Sequence, residues 1–375
     1  MAHSYAIFSC RYRPLVGGVE SFTYNLARSL VRAGDRVSIV TSRVGDTPPR
    51  EVDDSGAEIW RLPSIPLMGA RLPVPKYTDA YRYEMRALAH QGFDRILVNT
   101  RFYPHSLAGL GLAKRLDVPA VVLDHGSAYI VLGNPVADAA LRAHEHAMSA
   151  ACKRFRPTFA GISAASAAWL STFGIDCHRI IPNAIDARAF RATASTRDFR
   201  SELKVAADQT LVAFVGRLER EKGADLLAQA AALTGEGFAF AFAGTGSLGH
   251  EIAACAPANT HLLGSLDHPN LSALLREADV FCLPTRSEGF CTALLEAGAW
   301  GTYPMMPRVG GTDEVMGAEP RFGSRLRSCE PAAIAEALAR LKGAGALVRS
   351  QALAAHVEHD CSWEATVAAL EACYD

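Results

Sequence analysis

The stretch that most constrains this chain is 278–301, where a short apolar run, a polar loop and a small-residue helix follow directly on one another. Residues 280–283 have the length and composition of a buried strand, and Pro284 stops it. Residues 285–289 are polar and loop-forming, and from about Cys291 the spacing predicts a helix that Gly301 ends. Two carboxylates punctuate the unit, Glu288 in the loop and Glu296 one turn into the helix. Glu296 has Ala293, Leu294, Leu295, Ala297, Gly298, Ala299 and Trp300 as neighbours, so its helix is expected to be mostly buried. A carboxylate there without donors would cost on the order of several kcal/mol. A vicinal diol on a ligand supplies two such donors, and a helix start beside it offers backbone N–H groups to an anion. The alternative is a solvated helix face carrying both glutamates.

The same pattern recurs along the chain. Residues 5–9 read as a strand, followed by a loop with Gly17 and Gly18, a helix over 21–33 and a strand over 37–41. Strand, glycine loop, helix, strand opens a doubly wound parallel sheet. Paired glycines at a strand's carboxyl end let backbone approach a ligand closely, or simply form a tight turn. Residues 45–79 are rich in proline, glycine and charge, and with only 57–62 strand-like they read as a long loop. A helix over 77–90 carries Arg82 and Arg86 one turn apart, either for an anionic acceptor or lipid head groups or as a solvated face. Strands at 95–99, 120–123 and 159–163 complete the first half, with a helix over 106–115 and Ser163 as a helix N-cap. The strand at 120–123 ends in Asp124-His125-Gly126, which puts a histidine where open α/β sheets bind ligands. His144 and His146, two apart on a helix, point to different sides and cannot chelate together. With Glu145 they read as surface.

The polar, broken stretch 186–207 places a domain boundary near 187. A strand over 210–215 then leads into Gly216-Arg217-Leu218-Glu219-Arg220-Glu221-Lys222-Gly223 and a helix through 234. Arg217 and Lys222, in a loop between a strand's carboxyl end and a helix, would converge on one anion. Glu219 and Glu221 keep open a mixed-charge surface loop. A strand over 238–243 ends in Gly244-Thr245-Gly246-Ser247-Leu248-Gly249, a formal G-x-G-x-x-G with Asp267 about twenty residues on. Its rival reading is a dinucleotide-dependent oxidoreductase. That fingerprint normally opens the first βαβ unit, however, and here it follows the second strand. Strands over 260–264 and 303–306, and helices over 331–342, 344–358 and 362–373, complete the chain.

Length and composition bound the classes. At 375 residues the chain has room for two or three domains. A net charge of −1 argues against a nucleic-acid partner. Residues 1–185 carry 21 Lys and Arg against 15 Asp and Glu, an excess suited to an anionic acceptor or a membrane surface. Nine cysteines without any C-x-x-C pairing, Cys10 and Cys282 in apolar settings, read as reduced thiols of a cytoplasmic protein. Residues 5–10 are too short for a signal-peptide core and run into Arg11 and Arg13. No apolar run approaches the roughly 18 residues of a membrane span.

The motif Ser287-Glu288-Gly289-Phe290, continuing to Leu295-Glu296-Ala297, resembles that of the retaining nucleotide-sugar glycosyltransferases of family four (GT4). That family has the GT-B fold, an α/β architecture of two Rossmann-like doubly wound parallel-sheet domains facing an interdomain cleft. The resemblance covers nearly the whole chain. It takes in Gly17-Gly18-x-Glu20, His125, the inter-domain segment 179–186 (with Ala184 where glycine is commoner), Gly216-Arg217 with Lys222-Gly223, Gly244-x-Gly246 and Gly310-Gly311-Thr312. It implies an acceptor-binding domain over 1–187, a donor-binding domain over 188–361, and a terminal helix over 362–375 that crosses back.

The catalytic residues implied by the resemblance are His125 at the anomeric centre, Arg217 and Lys222 on the pyrophosphate, and Glu288 on the transferred sugar. The donor-binding set is Gly17, Gly18, Gly216, Arg217, Lys222, Gly244, Gly246, Leu266, Glu288, Phe290, Cys291, Thr292 and Glu296. Leu266 would hold the base through its backbone and Glu296 the ribose hydroxyls. Cys291 stands where glycine is usual, so a side chain is expected to narrow the sugar's position.

The implied reaction is transfer from a nucleotide diphosphate sugar, UDP- or GDP-linked, to a glycan, glycolipid or small-molecule acceptor with retained configuration. It would serve cell-envelope polysaccharide or glycolipid synthesis at the cytoplasmic side of a membrane, with peripheral contact through the basic first half. The sequence contains no Asp-x-Asp, so protein cations rather than a metal are expected to neutralise the leaving group, with no cofactor. A GT-B nucleotide-sugar epimerase and a non-catalytic sugar-nucleotide binding protein are the alternatives. The Glu288/Glu296 motif speaks against the first, and an obstructing Cys291 would favour the second.

Overall fold

The apolar runs that glycine and polar loops separate in the sequence become parallel strands. In the computed structural model, which describes residues 2–68 and 71–375, the chain divides into two units. One is Met1–Pro182 with Trp363–Asp375, the other Asn183–Ser362. The division thus falls at Pro182 rather than near 187.

The first unit contains β1 (Ser4–Ser9), β2 (Arg36–Ser42), β3 (Arg50–Val52), β4 (Glu58–Leu62), β5 (Ser64–Leu67), β6 (Leu72–Pro75), β7 (Arg95–Asn99), β8 (Ala120–Asp124), β9 (Thr158–Gly161) and β10 (Arg179–Ile180). Eight of these form one sheet in the order β10-β9-β8-β7-β1-β2-β4-β3. All its pairings are parallel except β3 with β4. The order reverses direction between β1 and β7, so the loops leaving their carboxyl ends part and open a crevice. β1 is buried along its whole length, as befits a central strand covered on both faces.

The helix Gly18–Arg32 buries Phe22, Leu26 and Leu30, one stripe at helical spacing. The terminal helix Trp363–Glu371 lies in this unit, with Trp363 5.7 Å from Phe22 between ring centres.

Two further expectations give way to the observed pairings. Residues 45–79 are not one long loop: β3 adds antiparallel to β4, and β5 with β6 forms a separate antiparallel hairpin. Pro66, Pro73 and Pro75 lie within that hairpin, and proline donates no ladder hydrogen bond, so the segment reads as loop until its partner strand is known. The strand ending near Ser163 is not the unit's last, because β10 pairs with it.

The second unit contains β11 (Thr210–Val215), β12 (Phe238–Ala243), β13 (Thr260–Gly264), β14 (Val280–Cys282), β15 (Tyr303–Met306) and β16 (Ser324–Arg325). They form an all-parallel sheet in the order β13-β12-β11-β14-β15-β16. This is a doubly wound order with its switch between β11 and β14. Phe214 and Phe242 stack at 5.3 Å in its core.

The helix expected over 344–358 forms only at Gln351–Asp360. Gly345 takes a left-handed conformation, and the Ser350 side chain accepts from Leu353 N as the true N-cap. Within 186–207 two short helices form, Ala187–Ala192 and Phe199–Glu202, each capped by an aspartate. No helix among the described residues is long and apolar enough to cross a membrane.

Candidate active site

In a parallel sheet every carboxyl end lies on the same edge, so the loops after β11, β12, β13 and β14 gather on one side of the second unit. Backbone contact dictates the glycines there. A Cβ on Gly244 would lie 1.9 Å from Gly216 O, and one on Gly246 2.4 Å from Leu218 O. Leu218 N donates to Thr245 O over 2.9 Å and Leu248 N to Leu218 O over 3.0 Å, which locks the two turns together. Loop-on-loop packing therefore accounts for the first two glycines of the G-x-G-x-x-G run, while a Cβ on Gly249 would meet only Leu218 Cδ1 at 3.9 Å. Over these turns opens a cavity of about 200 Å³, lined by Gly216, Arg217, Gly244, Thr245, Ser265 and Leu266 among others.

At the switch point the loops after β11 and β14 are stitched together. Gly223 is left-handed, and a Cβ on it would lie 2.2 Å from Pro284 O. Arg286 N and Thr285 Oγ1 both donate to Glu221 O, over 2.9 and 3.2 Å. These bonds bring Lys222 to the carboxylate loop, where its Nζ donates to Glu288 Oε1 over 2.6 Å. The two side chains are 16% and 10% exposed. Arg217 lines the cavity instead, is 64% exposed, and has Glu221 at 3.6 Å. The expected convergence of Arg217 and Lys222 on one point is thus not seen: each cation faces its own carboxylate.

The helix Thr292–Ala299 starts at Cys291, its N-cap. Cys291 is buried in the unit's apolar core, and burial pushes its thiol pKa up. Its side chain packs into the core, within reach of the charges of Glu288, Lys222 and Glu296. Thr292 is exposed. Gly310 and Gly311 press on the carboxylate loop: a Cβ on Gly310 would lie 2.7 Å from Glu288 Cβ, and one on Gly311 2.4 Å from the Phe290 ring. Glu296 is 14% exposed, and the exposed His268 lies 3.8 Å from it. Burial pushes its carboxyl up to about 7.

In the first unit the switch point lies between β1 and β7. Gly17 caps the helix Gly18–Arg32, and a Cβ there would lie 2.4 Å from Glu20 Oε2, whereas Gly18 has open space around it. Glu20 is buried with Arg11 Nε at 3.2 Å.

His125 follows β8. Its Nε2 lies 3.1 Å from Asn99 Oδ1, the Phe22 ring meets it edge-on at 5.0 Å, and burial lowers its pKa to about 3. Just before it, Asp124 is gripped by Arg101 and accepts from Gly126 N over 3.0 Å. Arg101 also donates to Glu145 Oε1 over 2.7 Å and to Ser149 Oγ over 3.0 Å.

Glu145 is therefore a buried partner rather than surface. The signal was there: Glu145, Met148, Ser149 and Cys152, the buried residues of the helix Pro135–Lys153, share one helical stripe. His144 and His146 separate as expected, toward Phe102 O and Tyr129. Among the described residues no cluster of His, Cys, Asp or Glu is arranged to hold a metal. Arg82 pairs with Asp79 on an exposed face.

Residues 16–189 match the family model described as Glycosyltransferase Family 4, and residues 195–347 match Glycosyl transferases group 1. The chain belongs to glycosyltransferase family four. Like its relatives in GT4, it is a glycosyltransferase. D-inositol 3-phosphate glycosyltransferase of Xylanimonas cellulosilytica is 27% identical to it, over 94% of this chain and 90% of that protein. Sucrose-phosphate synthase of Thermosynechococcus elongatus superposes with a TM-score of 0.75 at 21% identity, covering 99% of this chain and 98% of the other. Anabaena HepE, in complex with UDP and glucose, superposes with a TM-score of 0.70 at 14% identity, covering 99% and 98%. The two units are those of the GT-B fold.

Proposed function

We propose that this GT4 enzyme moves a sugar from a nucleotide diphosphate sugar to a glycan, glycolipid or small-molecule acceptor, retaining the anomeric configuration and without a metal ion. The observation that carries the reading is the switch point of the second unit. There a glycine-walled cavity bearing Arg217, the largely buried Lys222–Glu288 pair and, one turn into the following helix, the desolvated Glu296 lie at one sheet edge. The glycine turns admit a diphosphate close to backbone, and Leu266 offers its backbone to the base. A UDP complex of a protein of this fold, HepE, supports a uridine donor.

The bond between anomeric carbon and phosphate oxygen breaks while positive charge builds on that carbon. Arg217 and Lys222 neutralise the departing diphosphate, Arg217 with a fork of donors and Lys222 as a point charge. Lys222 exchanges Glu288 for phosphate, which frees Glu288 to accept from the sugar's hydroxyls. Phe290, Cys291 and Thr292 present the helix start to that sugar. Glu296 accepts from the ribose diol. On the acceptor side His125 binds a hydroxyl of the reacting sugar, and Gly17 and Gly18 give backbone N–H groups to phosphate. The acceptor's proton passes to the departing phosphate oxygen on the same face as the new carbon–oxygen bond forms. The basic excess of the first half supports an anionic or lipid-linked acceptor at the cytoplasmic face of a membrane.

The test is a panel of UDP-, GDP- and ADP-sugars read by thermal shift, followed by transfer assays on the stabilising donor with NMR assignment of the product's anomer. A donor at 100 times its Kd raises stability by about 2.7 kcal/mol. Inverted product, or transfer abolished by EDTA and restored by Mg²⁺, would overturn the reading.

A further inference from the structure

The hydrogen bonds beneath His125 have only one consistent direction. Ser9 Oγ donates to Arg11 O over 2.9 Å, so the Thr23 Oγ1 hydrogen goes to Val19 O over 2.7 Å or to Ser9 Oγ over 3.3 Å, away from Asn99 in either case. With its one hydrogen committed, the Thr23 hydroxyl can only accept from Asn99, 2.8 Å away. That orients the Asn99 amide with its NH₂ toward Thr23 and its carbonyl oxygen toward His125 Nε2, 3.1 Å distant. A carbonyl oxygen has no hydrogen to give, so Nε2 must carry the proton. No described group donates to Nδ1.

The backbone around Asn99 is held in place to do this. Thr100 sits at φ +65°, a left-handed conformation that a β-branched residue rarely adopts. Its N–H donates to Leu123 O over 2.8 Å, and its own carbonyl accepts from Ser106 Oγ over 2.7 Å. On its far side Arg101 grips Asp124. The tripeptide that ends β7 therefore holds the end of β8 from both sides, by the ring of His125 and by the carboxylate just before it.

We propose that Asn99 is a positioning residue that fixes His125 as the Nε2–H tautomer, so that the ring meets the substrate with the bare lone pair of Nδ1 as an acceptor for a hydroxyl. Burial keeps the ring neutral and the lone pair available. The inference rests on the reading of His125 as a residue that touches substrate, and it assigns the class of group met: a hydroxyl donor, not a phosphate or carboxylate oxygen.

The test is ¹⁵N NMR of histidine-labelled protein, with the His125 signals identified by their loss in His125→Gln. The wild type should show a protonated Nε2 and a bare Nδ1. A protonated Nδ1 overturns the proposal. Asn99→Leu, which keeps the size and removes the acceptor, should lose the preference and lower kcat roughly tenfold, the worth of one hydrogen bond, with donor KM unchanged. An intact tautomer in that variant also overturns it. Should Asn99→Leu not fold, Asn99→Asp retains an acceptor and should keep Nε2–H, and a switch to Nδ1–H there is again fatal. If the tautomer is as stated while His125→Ala keeps wild-type kcat, the substrate role of His125 fails and the tautomer assignment stands.

Discussion

Glu296→Gln separates a buried ligand-binding carboxyl from a solvated surface one. The folded protein holds this carboxyl at about 7 against an ordinary value of 4.5. Between those values the folded state binds a proton that the unfolded chain has released, so stability falls as pH rises through this window and then levels off. The shift amounts to about 3 kcal/mol at 1.36 kcal/mol per unit. Gln keeps the shape and cannot ionise. Urea midpoints of variant and wild type should coincide near pH 4, diverge above it, and leave the variant ahead by about 3 kcal/mol by pH 8.

Donor binding supplies the second half of the experiment. A diol donating two hydrogen bonds favours the ionised form, pulls the pKa down, and releases up to about half a proton at pH 7. Calorimetry of UDP binding in buffers of different ionisation enthalpy reads that proton directly in the wild type, and it should vanish in the variant. A pH-independent gap between the two proteins, or binding without proton release, would refute the claim that Glu296 is desolvated and meets the ribose.

Arg217→Ala and Lys222→Ala should each leave a folded protein with transfer reduced at least about 100-fold, measured as initial rates at saturating donor. Gly244→Ala should destabilise by roughly 2 kcal/mol or more in thermal or urea denaturation. Its Cβ would stand 1.9 Å from Gly216 O, a contact relieved only by parting the two turns. Arg101→Met should cost about 3–5 kcal/mol, because it strands Asp124 and Glu145 in the interior without their cation. Near-wild-type stability at neutral pH would show that the network holds its charges some other way.

Much of the site was legible because strand, loop and helix are written locally. A run such as 210–215 carries its own signal, and the carboxyl end of a parallel strand fixes which loop meets a ligand. Arg217, Lys222, Glu288 and Glu296 could be singled out by spacing and family motif for that reason. Asn99 and Arg101 were invisible, because an ordinary residue after a strand gains meaning only from the neighbouring strand it faces. Glu145 reads as surface because two histidines flank it, whereas the stripe it shares with Met148 and Cys152 turns it inward.

By itself the chain's order of residues determined two doubly wound sheets, their glycine turns and the family four motifs, since each depends on contacts within a few residues or on a recurring period. Only the tertiary structure decided that Lys222 rests on Glu288, that Cys291 turns into the core, that β5 and β6 pair, and that Asn99 Oδ1 faces His125 Nε2. Lys222 with Glu288 and Asn99 with His125 are pairings across tens of residues of chain, and the shorter β5–β6 pairing is hidden in the sequence by its prolines. Which polar group is left facing which, once water is excluded, is settled only when the sheets have brought their loops to one edge.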